Sequence, residues 1–377
     1  MTRMLAAAAA FALLAAPAVA QVQTEMGEID GATYRIDVPE EWNGDLIVMN
    51  HGYSPTPRIP RDGDPSARSL VYLDRGYAVA QSSYSAGGWA HEQAIVDNEK
   101  MIDHFIAEHG EPGRIFASGG AMGASITMMS VELQPEIYDG GLVTCCGALI
   151  PAIEWMNDDF EHLALFEHYF PGVAPPLVGP LNGMAYNDPE LREAVQAALD
   201  ANPEAAERYR RVIDRKPEDT AFWTTFKTYL IHEAQERSGG NPFDNTTRIY
   251  IVDDEDLATI NRAVPRYAAD PEAVDYLRQW PPSTGELEVP LMILSPVYDP
   301  IVPVSSVIDY LDRARDAGAE DMVALQWFDH EGHGSTTSAE VAAAFDALVA
   351  WVDGGPKPFT GPGDMSVNET DDDGAEE

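Results

Sequence analysis

Six short apolar runs recur along the chain with helix-length segments between them: residues 46–49, 77–80, 114–117, 141–144, 291–294 and 323–328. This alternation is the strongest constraint on the fold. A strand that returns through a helix returns parallel to its predecessor, so the runs predict a mostly parallel sheet covered by helices. Two of the intervening segments carry the helical period openly, Ile95, Ile102, Phe105 and Ile106 in one and Val341, Phe345, Leu348 and Val352 in the other. Each has one apolar face to lay on the sheet.

Between the fourth and fifth runs the alternation stops. Residues 151–285 are rich in Glu, Ala, Arg and aromatics and are broken by Pro175, Pro176 and Pro180, a pattern of inserted helices forming a cap. Its aromatic residues include Trp155, Phe160, Phe166, Phe170, Phe222, Trp223 and Phe226; most are expected in the core, with Trp155 and Trp223 as candidates for a substrate pocket. The layout is then an α/β core in two parts, 21–150 and 286–353, around a cap at 151–285. With 377 residues, 45% of them hydrophobic, the chain has ample material for such a core.

The ends read differently. Arg3, an apolar run from Leu5 to Ala16, and Ala18-Val19-Ala20 form a leader with a small-residue cleavage site, so residues 1–20 are expected to be a signal peptide and the protein to be secreted or periplasmic. Residues 354–377 turn Gly/Pro-rich and then acidic, with Asp371-Asp372-Asp373, and are expected to be a disordered, solvated tail. The two cysteines, Cys145 and Cys146, are adjacent, which excludes a disulfide framework and favours buried thiols. A formal charge of -40, from 63 acidic against 23 basic residues, argues against a nucleic-acid groove.

Acyl transfer on such a sheet needs a nucleophile on a tight strand-to-helix turn, backbone N–H groups to hold an oxyanion, and a histidine oriented by a carboxylate. The third run leads into Gly119-Gly120-Ala121-Met122-Gly123, a G-x-S-x-G turn with alanine in the middle, and a helix is expected to begin near Ser125. The fifth run is followed by Asp299-Pro300 and the sixth by Gly332-His333-Gly334. Asn50-His51-Gly52-Tyr53 closes the first run with an HG step, making the Tyr53 and Met122 N–H groups the candidate oxyanion hole. His330 and His333 are three apart, without the i, i+4 pairing of a helical zinc site, so no metal and no cofactor are expected.

Four motifs in this order, each just past an expected strand, resemble the α/β-hydrolase superfamily, in particular its secreted serine esterases and prolyl-oligopeptidase-like hydrolases with a helical cap. The resemblance spans about residues 30–352. It implies Asp299 as orienting acid, His333 as general base and acid, and Ala121 at the nucleophile position. It also places the stretch Ser82 to Trp89 beside the site, making Trp89 a third candidate for the pocket. The substrate class it implies is a small-molecule or oligomeric ester, with a peptide as the alternative, and no membrane anchor once the leader is removed.

Alanine cannot form an acyl-enzyme, and losing the triad serine typically costs on the order of a millionfold in turnover. Neighbouring Ser118 and Ser125 fall in the strand and in the helix, away from the apex. Three accounts of Ala121 stand open: an engineered change, a natural loss leaving a binding protein, or chemistry in which His333 acts alone as a base.

Overall fold

The computed structural model describes residues 22–144 and 149–363; the expected leader, Cys145, Cys146 and the acidic end of the tail lie outside the described residues. In chain order the elements are β1 (Val22–Ile29), β2 (Ala32–Pro39), β3 (Leu46–Asn50), α1 (Ala67–Leu73), β4 (Ala78–Ser82), α2 (His91–His109), β5 (Ile115–Gly120), α3 (Met122–Leu133) and β6 (Gly140–Thr144). Six helices follow: α4 (Ala152–Tyr169), α5 (Pro189–Ala201), α6 (Pro203–Ile213), α7 (Pro217–Ser238), α8 (Leu257–Ala263) and α9 (Pro271–Gln279). The chain then completes β7 (Leu291–Tyr298), α10 (Ser305–Asp316), β8 (Val323–Glu331), α11 (Ser338–Val352) and β9 (Gly361–Pro362).

The sheet order is β1-β2-β4-β3-β5-β6-β7-β8-β9. β1 and β2 form an antiparallel hairpin that pairs antiparallel with β4, and every pairing from β4 onward is parallel. The central strands are apolar on both faces because helices cover both: Leu46, Ile47 and Val48 of β3 are fully buried. One face packs Tyr72, Phe345 and Leu348 of α1 and α11 against Ile47, Phe116, Leu142 and Met292. The opposite face packs Phe105, Ile126 and Val307 of α2, α3 and α10, and continues into Trp155, Phe166 and Trp223 of the inserted helices.

Local chemistry fixes several boundaries. Thr337 and Glu340 make a reciprocal capping box at the start of α11, and Asp188 before Pro189 caps α5. Glu132 at the end of α3 accepts the N–H groups of Thr284 (2.9 Å) and Gly285 (2.8 Å) and the hydroxyl of Tyr310 (2.8 Å), which pins the chain as it returns from the inserted helices to β7.

Three details depart from the sequence reading. The β1–β2 hairpin carries Arg35 and Asp37 at almost fully buried positions, where they satisfy each other at 2.7 Å, so its hydrophobic signature is broken. α3 begins at Met122, directly after the turn, rather than near Ser125. Structure also continues past Asp353, since Gly361–Pro362 pairs with β8 through Gln326 and Trp327.

Candidate active site

Parallel strands place their C-terminal ends on one edge, and that is where loops of an open α/β sheet converge. Asn50–Tyr53 leaves β3 there, Ala121 leaves β5, Asp299 leaves β7 and His333 leaves β8. Gly120 of β5 is level with Thr144 of β6, and Thr144 with Leu294 of β7.

Ala121 sits between β5 and α3 at φ 51° and ψ −127°. A positive φ on a residue with a Cβ costs on the order of 1–3 kcal/mol and persists only where its surroundings enforce it. The enforcement is visible in the glycines beside it. A Cβ on Gly119 would overlap the Gly123 carbonyl, and one on Gly123 would overlap the Asn50 carbonyl; helix and strands approach too closely for any side chain. A Cβ on Gly52 would stand 3.2 Å from the Ala121 Cβ, so the segment leaving β3 runs directly past the apex. Met122 is the first residue of α3, and its N–H therefore has no place in the helical ladder.

On the other side of the edge, Asp299 is almost fully buried and its carboxylate is saturated. Oδ1 accepts the backbone N–H groups of Ile301 (2.7 Å) and Val302 (2.9 Å), and Oδ2 lies 2.7 Å from His333 Nδ1. Gly332, at φ 121°, donates its N–H to the Tyr298 carbonyl at 2.9 Å and turns the chain so that His333 meets the acid. An Asp–His pair of this geometry fixes the tautomer that puts the proton on Nδ1 and leaves Nε2 as the basic nitrogen.

With the sheet order, the strained turn after β5 and the acid–histidine pair after β7 and β8 in place, the architecture is decided. The chain has the α/β-hydrolase fold. Residues 28–196 match the tannase-like family of unknown function (DUF6351). An o-phthalyl amidase of Xanthobacter agilis is 24% identical over 414 residues, covering 91% of this chain and 90% of that protein. Among solved structures, the acylaminoacyl peptidase of Pyrococcus horikoshii is 12% identical with a TM-score of 0.46, over 89% of this chain and 41% of that one. An esterase of Pyrococcus furiosus is 13% identical with a TM-score of 0.43, over 89% of this chain and 88% of that one. The chain thus spans less than half the length of the peptidase it matches.

Within this fold the serines flanking Ala121 are committed elsewhere. Ser118 Oγ is 2.6 Å from Tyr72 Oη, within the α1 and α11 layer. Ser125 is fully buried, donates to the Met122 carbonyl (2.8 Å) and meets His91 Nε2 at 2.7 Å. Burial pushes His91 down to about 3, which keeps it neutral. His51 has a supporting place: its ring stacks on Tyr84 at 4.0 Å, Nδ1 lies 2.7 Å from the Gly52 carbonyl, and burial lowers it to about 4. His330 lies inside β8 and meets Glu340 at 2.7 Å. Among the described residues no group of three or more His, Cys, Asp or Glu side chains is placed to hold a metal ion, and no helix is long and apolar enough to cross a membrane.

The three tryptophans singled out from the sequence are all buried and form one chain of contacts. Trp89 stacks on Trp155 with centroids 5.6 Å apart, donates Nε1–H to the Trp280 carbonyl (3.2 Å), and receives Glu233 of α7 at its backbone N–H (3.2 Å). Trp155 and Trp223 both face a side chain the sequence reading passed over, Lys227 of α7, whose ammonium lies 3.8 Å from the Trp155 ring centre and 5.9 Å from that of Trp223. The signal for Lys227 was its scarcity and setting: it is one of four lysines in the chain and follows Phe222-Trp223-Thr224-Thr225-Phe226. A cavity of about 590 Å³, bounded by the 172–184 segment, Asp188, Leu191 and His232, is lined by none of the predicted site residues.

Proposed function

We propose that the chain is the scaffold of an acyl-transfer hydrolase for a carboxylic ester or amide, which as written binds its substrate without forming an acyl-enzyme. The observation that carries this reading is Ala121 at φ 51° and ψ −127° between the end of β5 and the start of α3, a conformation whose use is to present a side chain at the apex of the turn. A serine there attacks the carbonyl carbon while its proton passes to His333 Nε2, and Asp299 steadies the imidazolium that forms. The Met122 and Tyr53 N–H groups receive the oxyanion. Collapse of the tetrahedral intermediate expels the alcohol or amine, which takes the proton from His333, and water then releases the acid by the same route. Alanine has no atom to begin this sequence.

Ester cleavage was the sequence-based expectation. The likeness to an o-phthalyl amidase along 91% of the chain supports an amide of a small aromatic acid as the second substrate class. The leader at residues 1–20 supports export to the periplasm or beyond.

The test is the Ala121→Ser variant beside the parent, assayed with nitrophenyl esters, aminoacyl nitroanilides and o-phthalyl amides, with a fluorophosphonate probe for a reactive serine. The expected result is labelling and turnover in the variant alone. Turnover in the parent that is lost with His333→Ala would replace this reading with base catalysis by His333. Silence from both chains would leave a binding protein.

A further inference from the structure

We propose that His330 and Glu340 are positioning residues for His333, forming a second histidine–carboxylate pair that staples together the two sides of the loop on which His333 stands. The role of His333 as a base rests on the acyl-transfer reading above; the staple rests on its own bonds.

The loop needs an anchor. It leaves β8 after Glu331 and enters α11 at Ser338, and His333 lies between Gly332 at φ 121° and Gly334 at φ 75°. Glycines in this region leave the backbone freest to move. The bond from Nδ1 to Asp299 holds one ring nitrogen, but the reach of Nε2 toward the apex depends on where the loop backbone stands.

Glu340 is that anchor. Its side chain is fully buried, and its two oxygens face different elements. Oε2 accepts the Thr337 N–H at 2.8 Å and closes the capping box of α11, which is all that such a box asks of the carboxylate. Oε1 lies 2.7 Å from His330 Nε2 on β8. One carboxylate thus ties the strand before the loop to the helix after it. A carboxylate only accepts, so the His330 ring carries a proton on Nε2. The ring is itself held by Phe328, stacked at 6.0 Å and 16° from parallel. Further contacts complete the frame: Ser335 Oγ donates to the Gly332 carbonyl at 3.0 Å, and Arg68 of α1 donates to the Thr336 carbonyl at 3.1 Å. A residue serving the helix cap alone would leave Oε1 to water; here it is enclosed and engaged by the strand.

The first readout uses the chain as it exists. A ring N–H held by a carboxylate resonates far downfield of the amides in proton NMR, and loss of a signal in His333→Ala assigns that of His333. His330→Phe keeps a ring against Phe328 and spares the capping box but removes the donor. It is expected to speed exchange of the His333 ring proton with water about tenfold, the worth of a hydrogen bond to a charged group. His330→Gln, whose amide nitrogen takes the place of Nε2, is expected to return the rate to within about threefold of the parent. The second readout is kcat on a nitrophenyl ester in the Ala121→Ser background. There His330→Phe is expected to lower kcat about thirtyfold with KM within about twofold, as a misplaced base would, and His330→Gln to recover most of it. Glu340→Gln is the second variant should His330→Phe not fold: it can still close the box, but it turns one acceptor into a donor facing His330, and the same direction is expected in both readouts. Exchange and kcat both unchanged overturn the proposal. So does a loss that His330→Gln does not repair, which would make ring packing the cause, and so does a change confined to one readout of an active chain. If Ala121→Ser is inert while exchange responds as expected, the staple stands and the hydrolase reading falls. If Ala121→Ser turns over and neither readout responds, the hydrolase reading stands and the staple falls.

Discussion

The sheet edge and the helical layer above it differ in how their buried charged groups are held. At the edge, Asp299 meets two backbone N–H groups and His333, and Ser125 meets His91 and a carbonyl. In the layer, Lys227 and the indoles of Trp155 and Trp223 are enclosed with one acceptor close by. A site that moves protons has to be aligned before substrate arrives, because misplacement by an ångström can cost about a hundredfold in rate. Of the two, the edge is the one whose acid and histidine are already aligned.

The largest way to test the edge is in the Ala121→Ser background. There His333→Ala is expected to remove about a millionfold of the restored turnover, and Asp299→Asn about ten-thousandfold by favouring the wrong tautomer. Both are read from single-turnover rates on a nitrophenyl ester. If both substitutions left the rate within tenfold, the pair seen at 2.7 Å would be structural and the edge would lose its chemical role.

The two halves were also legible to different degrees. β3 to β8 announced themselves because apolar runs buried on both faces alternate with amphipathic helices, and Ala121, Asp299 and His333 because each follows such a run within a short motif. The β1–β2 hairpin stayed hidden, since Arg35 and Asp37 occupy buried positions that a pattern reading expects to be apolar and become tolerable by pairing with each other, with the Gly63 carbonyl and with the Thr24 hydroxyl. Lys227 was hidden for the same reason. α7 is buried on all sides from Ala221 to Gln235 apart from Phe222, so it has no polar face by which a lysine could be judged out of place. Motifs record chemistry that recurs between proteins; the partner of a buried charge is settled by tertiary contacts that no local window contains.

Stability measurements probe the layer next. Asp159→Ala strands the Lys227 ammonium and is expected to cost about 3–5 kcal/mol, whereas Lys227→Met/Asp159→Leu is expected to be close to neutral. Asp346→Ala, which breaks the exposed Arg75–Asp346 pair at 2.8 Å, is expected to stay within about 1 kcal/mol. Urea denaturation of the three variants ranks them. An Asp159→Ala cost no larger than that of Asp346→Ala would mean that water already reaches the ammonium.

Acid should separate the two regions by sign. Burial lowers His51 to about 4 and His91 to about 3, so between pH 6.5 and 4 the unfolded chain takes up protons that the folded edge refuses, and stability falls as the pH drops. In the layer, burial raises Asp159 to about 6 despite Lys227, and Glu161 to about 7 despite Arg248. These carboxyls hold protons more tightly when folded, so their contribution grows as the pH drops toward 4. Each of the four groups contributes on the order of 3 kcal/mol across this range, so the two sides nearly cancel and the expected net slope is shallow. Denaturation from pH 7 to 4 should show His91→Gln flattening the acid loss and Asp159→Asn steepening it. The reverse order would place the perturbed groups in the wrong halves.

The smallest effect concerns the apex itself. Glycine adopts φ 51° and ψ −127° without a Cβ penalty, while its extra freedom in the unfolded chain costs about 0.4–1 kcal/mol. Against strain on the order of 1–3 kcal/mol, Ala121→Gly should therefore gain about 1 kcal/mol in urea denaturation. Ala121→Ser keeps the Cβ and should leave stability within about 0.5 kcal/mol of the parent. A stabilised glycine variant beside an unchanged serine variant would show that the turn holds its strained conformation whatever side chain it carries, as a turn built to display a nucleophile must. If Ala121→Gly were instead destabilised, the alanine methyl, 3.2 Å from the Cβ position of Gly52, would be packing rather than strained, and the turn would have relaxed around the residue it now has.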